Sequence, residues 1–191
     1  MSSPGTQIAG VRSRRFDAAT QIALIVGASF FVALCARFYI PLPGTPVPLT
    51  VQNFAVLVVG LALGSRRGFA ALALYLVEGA SGLPVFSPHG PGGIAQILGP
   101  TGGYLIAYPF VAALTGFIFE RGKRTFARAA VASFTGEVLL FAFGISWLYV
   151  LTHSLATALS FGLYWFIFAE VLKVMFAAGS IWTWQIFFPH D

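Results

Sequence analysis

Glu170 and Lys173 stand three positions apart in an otherwise uncharged apolar run near the end of the chain. On a helix that spacing puts both side chains on one face. An ionisable residue inside a membrane span marks function by default, because burying it unpaired costs several kcal/mol. Such a pair can hold a small polar ligand, the ammonium against an oxygen and the carboxylate against N–H groups. It can also simply neutralise itself and fix helix packing. Glu137, in another apolar run, can approach Lys173 from the inner side or serve as a proton site. The histidines, His89, His153 and His190, have no carboxylate or second His at ligand spacing, so no metal site is expected. No Ser-His-Asp arrangement or Asp-rich phosphate motif occurs, so no catalytic residue and no cofactor is expected and an enzyme is the minor reading.

The chain around these residues is 58% hydrophobic and 9% charged, with a mean hydropathy of +0.84. Soluble domains average about 25% charged residues, and disorder needs low hydrophobicity with high charge. The composition is that of an integral membrane protein. Cys35 is the single cysteine, which excludes an internal disulfide and a thiolate cluster. The net charge of +5 lies in short clusters between apolar spans, unlike the continuous basic stripe of a nucleic-acid binder. No Gly-x4-Gly-Lys-Ser/Thr motif is present to cradle ATP.

Hydropathy and charge divide the chain into six helices. The uncharged run Ala18 to Ala36 is long enough to cross about 30 Å of hydrocarbon and opens a first span over 18–38. Arg12, Arg14 and Arg15 before it look like the start of a signal peptide, but the run is too long for one and Leu34 spoils a lipobox at Cys35. Further spans fit 50–64 and 68–81, joined by an Arg66-Arg67 turn between Gly64 and Gly68. A re-entrant hairpin is the alternative there, but two Arg near mid-membrane would cost about 2.5–3.5 kcal/mol each. The last three spans fit 101–119, 129–151 and 165–186. Nine of the eleven Lys and Arg lie in the 1–17 tail, the Arg66-Arg67 turn and the loop with Arg121, Lys123, Arg124 and Arg128. Six spans put those segments on one face, which the positive-inside rule makes cytoplasmic, together with the 1–17 and 187–191 tails. The expectation is an all-α multi-pass protein of a cytoplasmic membrane, its helices in one domain over 18–186.

The opposite loops are unusual. Residues 39–50 carry Pro41, Pro43, Pro46 and Pro48, and residues 82–100 carry four Pro and five Gly; neither loop has a charge. Long loops of this kind are commonly lids, so both are expected to fold over the outer mouth and enclose a cavity. Thr101 is a candidate N-cap for the fourth span. Gly102 would let backbone approach a ligand at a helix start whose free N–H groups favour an oxygen. Ala19, Ala23 and Gly27 form a small-residue stripe on the first helix that allows close contact with another helix.

Three segments resemble the BioY family: Pro46-Val47-Pro48-Leu49-Thr50-Val51-Gln52, Gly82-Leu83-Pro84-Val85-Phe86 and Gly99-Pro100-Thr101-Gly102-Gly103-Tyr104-Leu105. The resemblance runs from the first helix to the sixth. It implies the substrate-capture (S) component of an energy-coupling-factor (ECF) transporter, with six helices and an outer pocket covered by its first and third loops. The implied function is biotin binding and uptake. A stand-alone proton- or ion-coupled carrier is the alternative, with Glu170 or Glu137 as coupling carboxylate. In the family's sixth-helix pattern, Phe166 and Lys173 match, whereas Trp165, Ala169 and Glu170 stand where Pro, Gly and Asp are usual. The implied pocket takes hydrogen bonds from Lys173, Glu170, Gln52, Thr50, Gln96, Thr101 and Tyr104, with apolar walls from Phe86 and Trp147. The implied partners are a membrane coupling protein, meeting the Ala19, Ala23 and Gly27 stripe, and two ATPase subunits; operation without a dedicated ATPase module stays open.

Overall fold

The structure is a computed structural model that describes the backbone from residue 4 to 187 and the side chains from 18 to 180. The expected tail beyond Phe187 and the side chains of Arg12, Arg14, Arg15 and His190 lie outside those residues. Helix α1 spans Pro4–Cys35, so helix begins well before the expected start at 18. A two-stranded antiparallel ribbon follows, β1 (Tyr39–Ile40) against β2 (Leu49–Thr50), with Tyr39 opposite Thr50. Helix α2 (Gln52–Ala80) is followed by a short helix α3 (Gly93–Leu98) in the second outer loop, which the sequence reading left without structure. Then come α4 (Gly102–Glu120), α5 (Phe126–Thr152) and α6 (Leu155–Leu159). A π-helical turn (Ser160–Tyr164) leads into α7 (Ile167–Phe187).

The continuous label on α2 conceals a hairpin. Gly64 has φ 77° and ψ −178°, a conformation open essentially to glycine alone. Gln52 Nε2 donates to the Tyr75 hydroxyl at 2.8 Å, although 23 residues of straight helix would separate them by about 35 Å. The chain therefore doubles back at Gly64, earlier than the expected Arg66-Arg67 turn. Arg66 and Arg67 stand exposed at the start of the returning arm. Glu120 at the end of α4 accepts a hydrogen bond from the Ser65 N–H at 3.3 Å, which ties the hairpin tip to the basic loop after α4.

By length and apolarity, four helices among the described residues can cross a membrane, α2 being one of them; a fifth span forms if the α6–π-turn segment and α7, bent by 44°, are one. The core lies where α2, α4, α5 and α7 meet, with Leu57, Leu72, Val111 and Leu148 fully buried. Large apolar side chains such as Phe30, Phe134, Phe168 and Phe176 project outward, as the lipid-facing surface of a membrane bundle requires. The bend lies between the π-helical turn and α7, and within the turn the Gly162 carbonyl accepts from Tyr104.

The hairpin generates a test. At Gly64 a side chain is disfavoured by the backbone, by about 1–3 kcal/mol, and its Cβ would collide with the Glu120 carboxylate. Gly64→Val is expected to lower the melting temperature of the purified protein clearly, whereas Ala62→Val, at an exposed neighbour, leaves it near wild type. Equal melting curves would show that the turn does not require glycine.

Candidate functional site

A cavity opens between α2, α4, α5 and α7 beneath the two outer loops. With its open mouth it holds about 540 Å³ of empty space. Val47, Pro48 and Thr50 from the first loop and Ser87 and Gln96 from the second complete its lining, so both loops take part in the enclosure. Leu105, Tyr108, Leu140, Phe141 and Phe166 make it largely apolar.

Its charged groups are concentrated in one network. Lys173 Nζ lies 2.7 Å from Glu170 Oε1, the i, i+3 pair expected from the sequence. The same ammonium donates to Asn53 Oδ1 at 2.8 Å, and the Asn53 amide donates to the other Glu170 oxygen. Asn53 thus closes a ring of three side chains from two helices. The lining has one cation and one carboxylate, so it is formally neutral. Buried ions need this completeness, since a pair lacking further hydrogen bonds does not repay its desolvation. Asn53 was not singled out in the sequence. The available signal was its place beside Gln52 at the start of an apolar helix, where a second amide has no bilayer-facing use.

Lys173, Glu170, Gln52, Thr50, Gln96, Thr101 and Tyr104 all line the cavity. Several spend their polar atoms on the protein itself. Gln52 holds the Tyr75 hydroxyl, which donates to Val85 O at 3.0 Å. Gln96 accepts from the Gly92 N–H at 3.1 Å and donates to Ser87 O at 3.3 Å, cross-linking its own loop. Tyr104 donates to Gly162 O at 2.9 Å and seals α4 against the π-helical turn. Thr101 occupies the N-cap position of α4, but its side chain makes no capping bond. Ser87, missed in the sequence, brings a buried hydroxyl to the lining with no hydrogen-bond partner among the described residues.

Three expected site residues are not in the lining. Phe86 is buried behind it, packed edge-to-face on Tyr75 with ring centroids 5.4 Å apart. Trp147 donates its indole N–H to Gly99 O at 2.9 Å and braces the start of α4 from the far side. At Gly102 a Cβ would strike the Ile97 carbonyl, so this glycine serves the close approach of α3 rather than a ligand. Helix rotation, which spacing alone does not reveal, places Trp147 and Gly102, and the fold of the loop after α2 places Phe86. Near the same end of the bundle Arg37 donates to the Pro84 carbonyl, and Glu78 accepts from the buried Ser29. Ala19, Ala23 and Gly27 are exposed, and a Cβ on Gly27 would meet nothing in the chain. Of Trp165, Ala169 and Glu170, only Glu170 reaches the lining.

A helical membrane bundle with an enclosed, mostly apolar cavity over a neutral ionic floor defines a small-molecule capture protein. The chain belongs to the BioY family, whose model matches residues 7–189. It is 34% identical to the biotin transporter BioY of Thermotoga maritima over 155 residues, 81% of this chain and 90% of that one. It is 37% identical to the biotin transporter BioY of Rhizobium etli, over 79% of this chain and 84% of that one. Its fold matches the crystal structure of the S-component for biotin from an ECF-type ABC transporter with TM-score 0.80 and 24% identity, covering 89% of this chain and 93% of the other.

The floor predicts the weight of one side chain. Lys173→Ala removes the cation and leaves Glu170 buried with only Asn53. Ligand affinity is expected to fall at least tenfold, about 1.4 kcal/mol, in protein that still elutes as a folded species. Unchanged affinity would place Lys173 outside the binding determinants.

Proposed function

We propose that this chain captures biotin from outside a bacterial or archaeal cytoplasmic membrane and serves its uptake as the S component of an ECF-type transporter. Family membership and relatives named as biotin transporters support the substrate. The observation that carries the reading is the neutral Lys173–Glu170–Asn53 floor under an apolar cavity. Biotin has a neutral ureido ring with one carbonyl acceptor and two N–H donors, an apolar sulfur ring and chain, and a carboxylate. The floor offers an ammonium donor, carboxylate acceptors and an amide that is both. Because Glu170 already matches the Lys173 charge, the floor favours the neutral ureido end and leaves the ligand carboxylate toward the mouth. The reaction is transport of an unchanged molecule, with no catalytic residue and no cofactor.

In the membrane this reading has six passes, with the arms of α2 counted separately, and both termini in the cytoplasm. The charges support it: Arg66, Arg67, Arg121, Lys123 and Arg124 stand exposed around the junction of Ser65 and Glu120, as the positive-inside rule asks of a cytoplasmic face. ATP is hydrolysed by other chains, since this one has no phosphate-binding loop. The partners in this reading are a membrane coupling protein and two ATPase subunits. The first meets α1 at Ala19, Ala23 and Gly27, whose exposure leaves room for close helix contact.

An equilibrium titration of the purified, ligand-stripped protein with biotin, biotinamide, thiamine and riboflavin tests the substrate. Tight saturable binding of biotin and of its amide, with neither other vitamin bound, is the expected result. Failure of folded protein to bind biotin would remove the substrate assignment, and loss of the amide alone would reverse the ligand's orientation.

The partner surface has its own test. Gly27→Leu should leave biotin affinity unchanged and reduce uptake in cells several-fold. Normal uptake would make the stripe ordinary lipid-facing surface.

A further inference from the structure

The polar floor continues one layer deeper into the bundle. Glu137 lies on the face of α5 that also carries Leu140 and Phe141 of the cavity lining, one turn nearer the helix start. It is only 4% exposed. Its polar neighbours are Asn53 on α2 and Glu170 and Lys173 on α7. Those three bond one another, whereas Glu137, within reach of Asn53 and Glu170, completes a hydrogen bond of good geometry with neither.

A buried carboxylate without partners is costly, and more so inside a bilayer. A leucine of similar volume would pack at this position without that cost, so packing alone does not explain the residue. The ring above it supplies a reason. Both Glu170 oxygens are occupied, one by Lys173 and one by Asn53. A ligand whose N–H groups bind Glu170 competes with both donors for its lone pairs, and one of them can give way. The displaced ammonium or amide then needs another acceptor, because a buried cation left unpaired is strongly unfavourable.

We propose that Glu137 is a positioning residue for the ligand site: the reserve acceptor to which Lys173 and Asn53 turn when a ligand's N–H groups take Glu170. This rests on the reading of the cavity as a site for a ureido-type ligand. It assigns Glu137 no contact with the ligand; the residue acts through Lys173 and Asn53.

The test is a double-mutant cycle on the full chain, with Glu137→Leu, Glu137→Gln, Lys173→Met and the Glu137→Leu/Lys173→Met double variant, read by biotin affinity. Glu137→Leu is expected to weaken binding at least tenfold where Lys173 is present and less than threefold where it is Met. Glu137→Gln, which keeps an acceptor oxygen, should stay within about threefold of wild type. Equal losses in both backgrounds, or a Gln variant as poor as Leu, would overturn the proposal. Thermal unfolding of the ligand-stripped proteins is a readout independent of biotin. Glu137→Leu should melt at or above the wild-type temperature, because it removes an unsatisfied group. A clearly lower melting point, or failure to fold, would mean that Glu137 is already paired and would also overturn the proposal. If wild-type protein binds no biotin, the substrate reading falls, and the melting comparison still decides whether Glu137 is held in reserve.

Discussion

A charge within the hydrocarbon layer must find partners inside the protein, and the architecture around Lys173 and Glu170 follows from that constraint. The two side chains pair on one face of α7, but a pair alone leaves two ammonium protons and a carboxylate oxygen in need of partners. Asn53 takes one of those protons and donates to that oxygen. It can do so only because α2 starts beside α7, immediately after the first outer loop. The second arm of α2 returns to the same end through the glycine-only turn at Gly64. The ring fixes the two helices together and gives the cavity a floor with no net charge.

The outer loops follow a related logic. They carry no charge and little polar side chain, yet they cover polar backbone that must be satisfied. Thr45 donates to Phe161 O at 2.6 Å, linking the first loop to the π-helical turn. Arg37 donates to the Pro84 carbonyl across the two loops, and Tyr39 lies against His89 with ring centroids 5.8 Å apart. Gln96 and the Gln52–Tyr75–Val85 chain of bonds secure the second loop. The cover is a connected structure, tied to the bundle at several points. Most amides expected to meet a ligand first hold this cover in place.

Much of this was legible in the sequence. Composition placed the chain in a membrane, the scarcity of charge made each buried ionisable residue conspicuous, and proline and glycine density marked the loops that close the cavity. The Glu170–Lys173 pair was readable because i, i+3 spacing survives in any helix. Phe86 and Trp147 illustrate what was not readable. Both are large aromatics near the right depth, but whether each faces the cavity or the packing behind it depends on the rotation of α5 for Trp147 and on the path of the loop for Phe86. Asn53 escaped notice for a different reason: its importance comes from α7, 117 residues away, and local pattern carries no record of that distance.

Sequence by itself determined the solvent, the helical class, the family and the pair of charges, because these rest on composition, local periodicity and short motifs. Tertiary structure decided where the second helix doubles back, which amide completes the ionic ring, which aromatics face the cavity and which carboxylate is left without a partner. Each of those depends on the rotation and depth of helices packed against one another, which no single helix encodes.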